Sequence, residues 1–144
     1  MRTTRRPGAG DDDELRLVVQ KLARRIRAER TDEPLSDGQL SVLFHLDAQG
    51  PTTPGRLAER EHVTPPSMNR TLNHLEAAGL VVRTPSPDDA RRVDVTITDA
   101  AGTLIGETRR LRTAWFGSRL AELAPNERLA LEAVTPILRK LAES

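Results

Sequence analysis

Residues 52–98 read TTPGRLAEREHVTPPSMNRTLNHLEAAGLVVRTPSPDDARRVDVTIT, and the fold is decided there. Thr53-Pro54 opens one helix, with threonine as N-cap and proline at the first helical position, where its missing N–H costs nothing. Thr64-Pro65-Pro66-Ser67 opens a second helix in the same way, and Gly79 ends it. Leu80-Val81-Val82-Arg83 then predicts a strand, residues 84–92 a polar loop, and Val93-Asp94-Val95-Thr96-Ile97-Thr98 a returning strand with alternating apolar positions. The expected fold class is mainly α with a small β-wing, a winged helix-turn-helix. A helix pair followed by a wing is a device for setting one helix in a DNA groove and a loop beside it.

With Thr64 as N-cap, Met68, Leu72 and Leu75 recur at helical spacing and form the stripe to be buried. Pro66, Ser67, Asn69, Arg70 and Asn73 point the other way, with His74 at the margin. Small residues at the helix start allow close approach to a groove floor. Asn can pair with an adenine edge, and Arg with a guanine edge or a phosphate. The same face without a wing would read as ordinary solvated helix. The wing, Pro85-Ser86-Pro87-Asp88-Asp89-Ala90-Arg91-Arg92, is too long and polar for a tight hairpin. Its two consecutive arginines suit a narrow minor groove, whose negative potential attracts guanidinium. Asp89 is placed to hold either the fork or the backbone of Arg91 by a charge-assisted bond.

Outward from this unit, residues 1–11 form a polar arm without periodicity, expected to be disordered. Leu15, Val18, Val19, Leu22 and Ile26 then recur at helical spacing from about Asp12 to near Glu29. Ser36 caps a helix that buries Leu40, Val42 or Leu43, Phe44 and Leu46 and runs out before Gly50-Pro51. Beyond the wing, Thr98-Asp99 starts a long helix carrying Leu104, Ile105, Thr108, Leu111, Trp115, Leu120 and Leu123. Ala124-Pro125-Asn126-Glu127 starts a last one, with Leu129, Val134, Ile137, Leu138 and Leu141, and with Pro136 predicting a kink or a missing hydrogen bond. The division expected is residues 35–98 for the winged unit, with 12–34 and 99–144 as a helical dimerisation region. The long helix carries apolar residues on more than one face, which a second copy of the chain would cover in a twofold dimer. A self-contained monomeric bundle is the alternative.

Composition excludes more than it selects. The chain has 144 residues, no cysteine, 37% hydrophobic and 2% aromatic residues, and a formal charge of +1. Disulfides, thiolate metal sites and thiol redox sensing are therefore out. No apolar run approaches the roughly 20 residues of a membrane span, and no apolar segment follows the basic N-terminus, so a cytoplasmic protein is expected. In residues 51–98, six arginines balance six acids, so nucleic-acid binding would rest on where charges point and not on their sum. No Gly-rich phosphate loop or His-carboxylate pair suggests an enzyme, and Asp88-Asp89 diverge on a loop.

These residues resemble the multiple-antibiotic-resistance regulator (MarR) family of winged helix-turn-helix proteins. The likeness runs through Leu57-Ala58-Glu59-Arg60, the recognition segment from Thr64 to Leu80 with Leu75-Glu76-Ala77-Ala78-Gly79-Leu80-Val81, the wing Asp89-Ala90-Arg91-Arg92, and Val95-Thr96-Ile97-Thr98-Asp99-Ala100-Ala101-Gly102. The flanking helices agree in order and length only. The resemblance implies four helices, two strands and two helices per protomer, and a homodimer. It also implies a pseudo-palindromic double-stranded operator, bound by a repressor that lets go on ligand binding or oxidation. By position, Pro66, Ser67, Asn69, Arg70 and Asn73 would face the major groove, Arg91 with Arg92 would enter the minor groove, and Thr53 would cap the third helix near a phosphate. Thr64, His74, Arg83 and Asp89 complete the candidate DNA-binding set. The oxidation-sensing route fails here for want of cysteine. No metal or other cofactor is expected, since His45, His62 and His74 lie on three different elements. The crevice for a small-molecule effector would draw on Ile26, His45, Leu46 and Trp115, residues that serve equally well as core. The competing reading is a winged-helix protein-interaction module that binds no specific DNA.

Overall fold

The computed structural model describes residues 8–144, so most of the arm expected to be disordered (residues 1–7) lies outside the described residues. Among the described residues the order is α1 (Ala9–Ala28), α2 (Asp37–Gln49), α3 (Pro54–Glu61), α4 (Pro65–Ala77), β1 (Val81–Pro85), β2 (Val93–Ile97), α5 (Asp99–Ala121) and α6 (Pro125–Ala142). This is the mainly α winged helix-turn-helix order read from the sequence. The first helix begins at Ala9, earlier than expected, because the Gly8 N–H donates to the Asp11 carboxylate at 3.3 Å and so starts the first turn. The chain divides into two compact units, one holding Arg30–Arg110 and the other the chain ends up to Glu29 and from Leu111.

In the winged unit, Ser36 caps α2, accepting from the Gln39 N–H at 3.1 Å while the Gln39 side chain accepts from the Ser36 N–H at 2.9 Å. Leu40, Val42, Leu43 and Leu46 of α2 are all buried, and Phe44 is only partly so. They pack with Leu57 and Ala58 of α3, the Met68-Leu72-Leu75 stripe of α4, Leu80, Val81, Val95, and Ala101, Leu104 and Ile105 of α5. The unit boundary therefore falls inside α5 and not at its start, since the first turns of that helix complete this core. Thr108 is buried among apolar residues yet satisfied, its hydroxyl donating to the Leu104 carbonyl at 2.9 Å.

The strands pair antiparallel from Val81↔Ile97 to Pro85↔Val93, so β1 runs two residues further than expected. Pro85 is tolerated because it closes the strand, where a missing N–H breaks no ladder. Thr52 joins as a third rung: its N–H donates to the Val95 carbonyl at 3.3 Å and its carbonyl accepts from the Val95 N–H at 2.8 Å.

In the other unit, α1 and α6 bury none of their residues. Leu15, Leu17, Val18, Val19 and Leu22 of α1 and Leu129, Leu131, Val134, Ile137, Leu138 and Leu141 of α6 are all exposed. An apolar groove of about 540 Å³ runs between these helices, lined by Leu15, Val19, Leu138 and Leu141 among others. The α6 helix continues through Pro136, which has no N–H to give the preceding turn. No helix described here is long and apolar enough to cross a membrane.

Candidate nucleic-acid interface

The helices α3 and α4 are each bounded by a threonine cap at the start and by the same pair of hydrogen bonds at the end. The α3 helix starts at Thr53, whose hydroxyl accepts from the Arg56 N–H at 3.3 Å. It stops at His62, which adopts the left-handed conformation with φ of 53°. The Val63 N–H then reaches the Ala58 carbonyl at 3.1 Å and the His62 N–H reaches Glu59 at 3.2 Å, the hydrogen-bond pair of a Schellman turn. Histidine here fills a place that usually goes to glycine, and its sequence carried no sign of a turn.

The α4 helix starts on Thr64, whose hydroxyl accepts from the Ser67 N–H at 3.3 Å. It closes with the same pair of bonds, Leu80 N–H to Leu75 at 2.9 Å and Gly79 N–H to Glu76 at 3.0 Å, with Gly79 at φ of 74°. Thr98 locks this corner by donating its hydroxyl to the Gly79 carbonyl at 2.7 Å and accepting from the Ala101 N–H at 3.3 Å. One threonine thus ties the end of α4 to the start of α5.

With Met68, Leu72 and Leu75 buried, Pro66, Asn69, Arg70, Asn73 and His74 are exposed on α4, while Ser67 and Thr53 are half-buried and Thr64 is open. On the wing, Asp89, Arg91 and Arg92 are exposed. The Asp89 carboxylate accepts from the backbone N–H of Arg91 at 3.0 Å, and the Asp89 carbonyl accepts from the Arg92 N–H at 3.0 Å. Of the two roles read for Asp89, the structure takes the backbone one. The loop is closed at its neck by the Ser86 N–H donating to the Arg92 carbonyl at 2.9 Å. The guanidinium groups of Arg70, Arg91 and Arg92 have no partner among the described residues.

Arg83 behaves differently from the other candidates. From β1 it turns back on α4, donating from Nη2 to Asn73 Oδ1 at 2.8 Å and to the Asn69 carbonyl at 3.4 Å. Its Nε lies 3.2 Å from Glu76 Oε2, close enough for an ion pair but off the N–H direction, so that no hydrogen bond forms there. A side chain read as a DNA contact is thereby engaged in fastening the wing to the second helix of the pair. Sequence alone gave no signal for this, because the contact joins residues ten positions apart across a turn.

The residues expected to line an effector crevice are divided between the two units: Ile26 and Trp115 in one, His45 and Leu46 in the other. Leu46 belongs to the core of the winged unit, with 2% of its surface exposed. The Trp115 ring carries the Arg25 and Arg119 guanidiniums at 5.4 and 5.6 Å, a cation–π arrangement on a half-buried indole. His45 Nδ1 is buried without a partner. Burial, and then the Arg60 charge, lower its pKa below the ordinary value, with Glu61 opposing in part. No group of three His, Asp or Glu side chains among the described residues is arranged to hold a metal ion.

An exposed polar helix face beside an arginine-tipped wing, both built on one aliphatic core, defines a winged-helix DNA-binding protein. Residues 35–93 match the model of the MarR family. The chain is 38% identical over 130 residues to the uncharacterised HTH-type transcriptional regulator Mb0904 of Mycobacterium bovis, covering 90% of this chain and 91% of that one. It belongs to the MarR family of transcriptional regulators. The HTH-type transcriptional repressor MdtR of Bacillus subtilis is 28% identical, with 91% and 87% covered. Among solved structures, RV1404 of Mycobacterium tuberculosis superposes with a TM-score of 0.84 at 22% identity, covering 96% and 97%. A MepR mutant of Staphylococcus aureus bound to an oligodeoxyribonucleotide gives 0.68 at 20%, covering 90% and 96%.

Proposed function

We propose that this regulator is a homodimeric repressor of a pseudo-palindromic operator, released by a small-molecule effector. Two copies of α4 enter successive major grooves about 34–36 Å apart. Pro66 and Ser67 allow close approach there, Asn69, Arg70 and Asn73 meet base edges, and Arg91 with Arg92 enter the flanking minor grooves. Thr53 and Thr64 lie near phosphates, as N-caps whose helix ends favour anions. The observation that carries this reading is the set of unpaired arginines (Arg70, Arg91 and Arg92) exposed on the α4 face and the wing tip. Dimerisation is supported by the uncovered apolar faces of α1 and α6, which in a lone chain would meet water. Repression is supported by the likeness to MdtR, and effector release rests on family membership alone. An effector that binds better to a form with differently spaced α4 helices would shift the population away from DNA.

Selection of bound fragments from the source genome, followed by footprinting, tests the reading. A symmetric footprint with half-sites one helical turn apart is expected. Affinity for every fragment no greater than for a random polyanion would overturn it and favour a protein-interaction module instead.

A further inference from the structure

Asn73 stands at the centre of the exposed α4 face, and its amide is not free to turn. The atom 2.8 Å from Arg83 Nη2 must be the oxygen, because a guanidinium only donates and an inverted amide would set N–H against N–H. Arg83 is itself fixed from two further sides, by the Asn69 carbonyl at 3.4 Å and the Glu76 carboxylate at 3.2 Å. It is one-quarter exposed, so water screens this cluster only in part. Among the described residues the Asn73 amide nitrogen has no partner.

A free asparagine reads adenine by donating to N7 while accepting from the N6 amino group. Here one of the oxygen's two lone pairs is taken by the guanidinium, so that amino group would have to share an oxygen already drawn toward a cation. The outward nitrogen can still give its hydrogens to acceptors, which guanine presents side by side at O6 and N7 and thymine at O4, whereas adenine sets its one acceptor, N7, beside a donor. We propose that Arg83 biases Asn73 toward donating to the operator, so that the base Asn73 reads is guanine or thymine in preference to adenine. This rests on the DNA-binding reading above and refines its specificity. Arg83 is then a positioning residue, and the wing strand sets what the second helix can read.

The test is selection from randomised duplexes with the full chain and four variants. Wild type is expected to yield one position per half-site occupied by guanine or thymine, with a preference of about tenfold that Asn73→Ala abolishes. Asn73→Asp keeps the pair with Arg83 but turns the outward atom into an acceptor, and should move that position to cytosine or adenine. Arg83→Ala frees the amide and should admit adenine at that position while leaving the others unchanged, and Arg83→Lys should restore the wild-type choice. Asn73 is exposed, so Asn73→Asp carries the test if Arg83→Ala does not fold. The proposal is overturned if wild type selects adenine where Asn73 acts, if no position responds to Asn73→Ala, or if Arg83→Ala leaves the preference intact. A wild-type chain that selects no site at all overturns the DNA-binding reading as well, which separates the two failures.

Discussion

Replacing Ile137 and Leu141 together by alanine probes the proposed twofold assembly, on which operator symmetry would depend. These α6 side chains are one helical turn apart and remain 58% and 63% exposed in the single chain. Fully burying such a side chain contributes about 1.5–3 kcal/mol, so roughly 1 kcal/mol or a little more is left to be gained at each position when a partner covers it. Twofold symmetry counts each substitution twice, giving about 2 kcal/mol per position for the dimer. The pair shares neighbours and will not add perfectly, so the expected loss is about 4 kcal/mol at most, equivalent to about a thousandfold in the dimer Kd. Sedimentation equilibrium across a wide concentration range reads this directly. Operator affinity should fall with it, because two half-sites held by separate chains lose the gain from linkage. A double variant that dimerises within threefold of wild type would show that these faces are not the interface. A wild-type chain sedimenting as a monomer throughout would refute the assembly itself.

Arg91→Ala should weaken operator binding and lower the salt slope by about one where the guanidinium neutralises a phosphate; unchanged affinity at moderate salt in a gel-shift titration would remove Arg91 from the interface. His45 should make stability fall on the acid side. Its pKa is lowered from 6.5 in the folded chain, so the unfolded chain takes up the proton first, and stability is full above about pH 6.5 and declines below it. Urea midpoints from pH 5 to 8 should show that decline, and His45→Gln should flatten it; an equal slope in both would reject the assignment. His62→Gly relieves a left-handed residue that costs about 1–2 kcal/mol, partly offset by added freedom in the unfolded chain, so the melting temperature should rise. A fall would mean that the imidazole makes a contact worth more than the strain.

Local signals carried most of the fold. Thr53-Pro54, Ser36, Thr64-Pro65 and Gly79 each announce a helix end through the chemistry of their own few residues, and each lies where that chemistry put it. The apolar stripe of α4 was equally plain, since periodicity is a property of one element. What escaped was whatever depends on two elements meeting. The rung between Thr52 and Val95, the fastening of Arg83 to Asn73, and the use of the first turns of α5 in the winged core all join distant stretches. His62 escaped for a different reason: histidine enters the left-handed region several-fold more often than most residues, yet still rarely, so its identity gives little warning. Among candidate site residues, type and spacing found the exposed face of α4 and the wing tip but could not say which arginine turns inward.

That distinction resolves the balanced charge of residues 51–98. Six acids cancel six arginines on paper, yet the two sets are differently employed. Glu61 accepts from the Ser41 hydroxyl at 2.8 Å, Glu76 lies 3.2 Å from Arg83, and Asp89 holds the backbone of the wing. Three of the acids are thus committed to internal geometry, and one arginine with them. Arg70, Arg91 and Arg92 keep their charges uncommitted, on the exposed face of α4 and at the wing tip. Bonds from neutral donors leave the charges of Glu61 and Asp89 in place, so the field that a polyanion meets depends on where each charge sits as well as on the net value. If a neutral unit of this construction binds through few, well-placed contacts, as proposed, it should discriminate among duplexes by base edges more than it clings to phosphate in general.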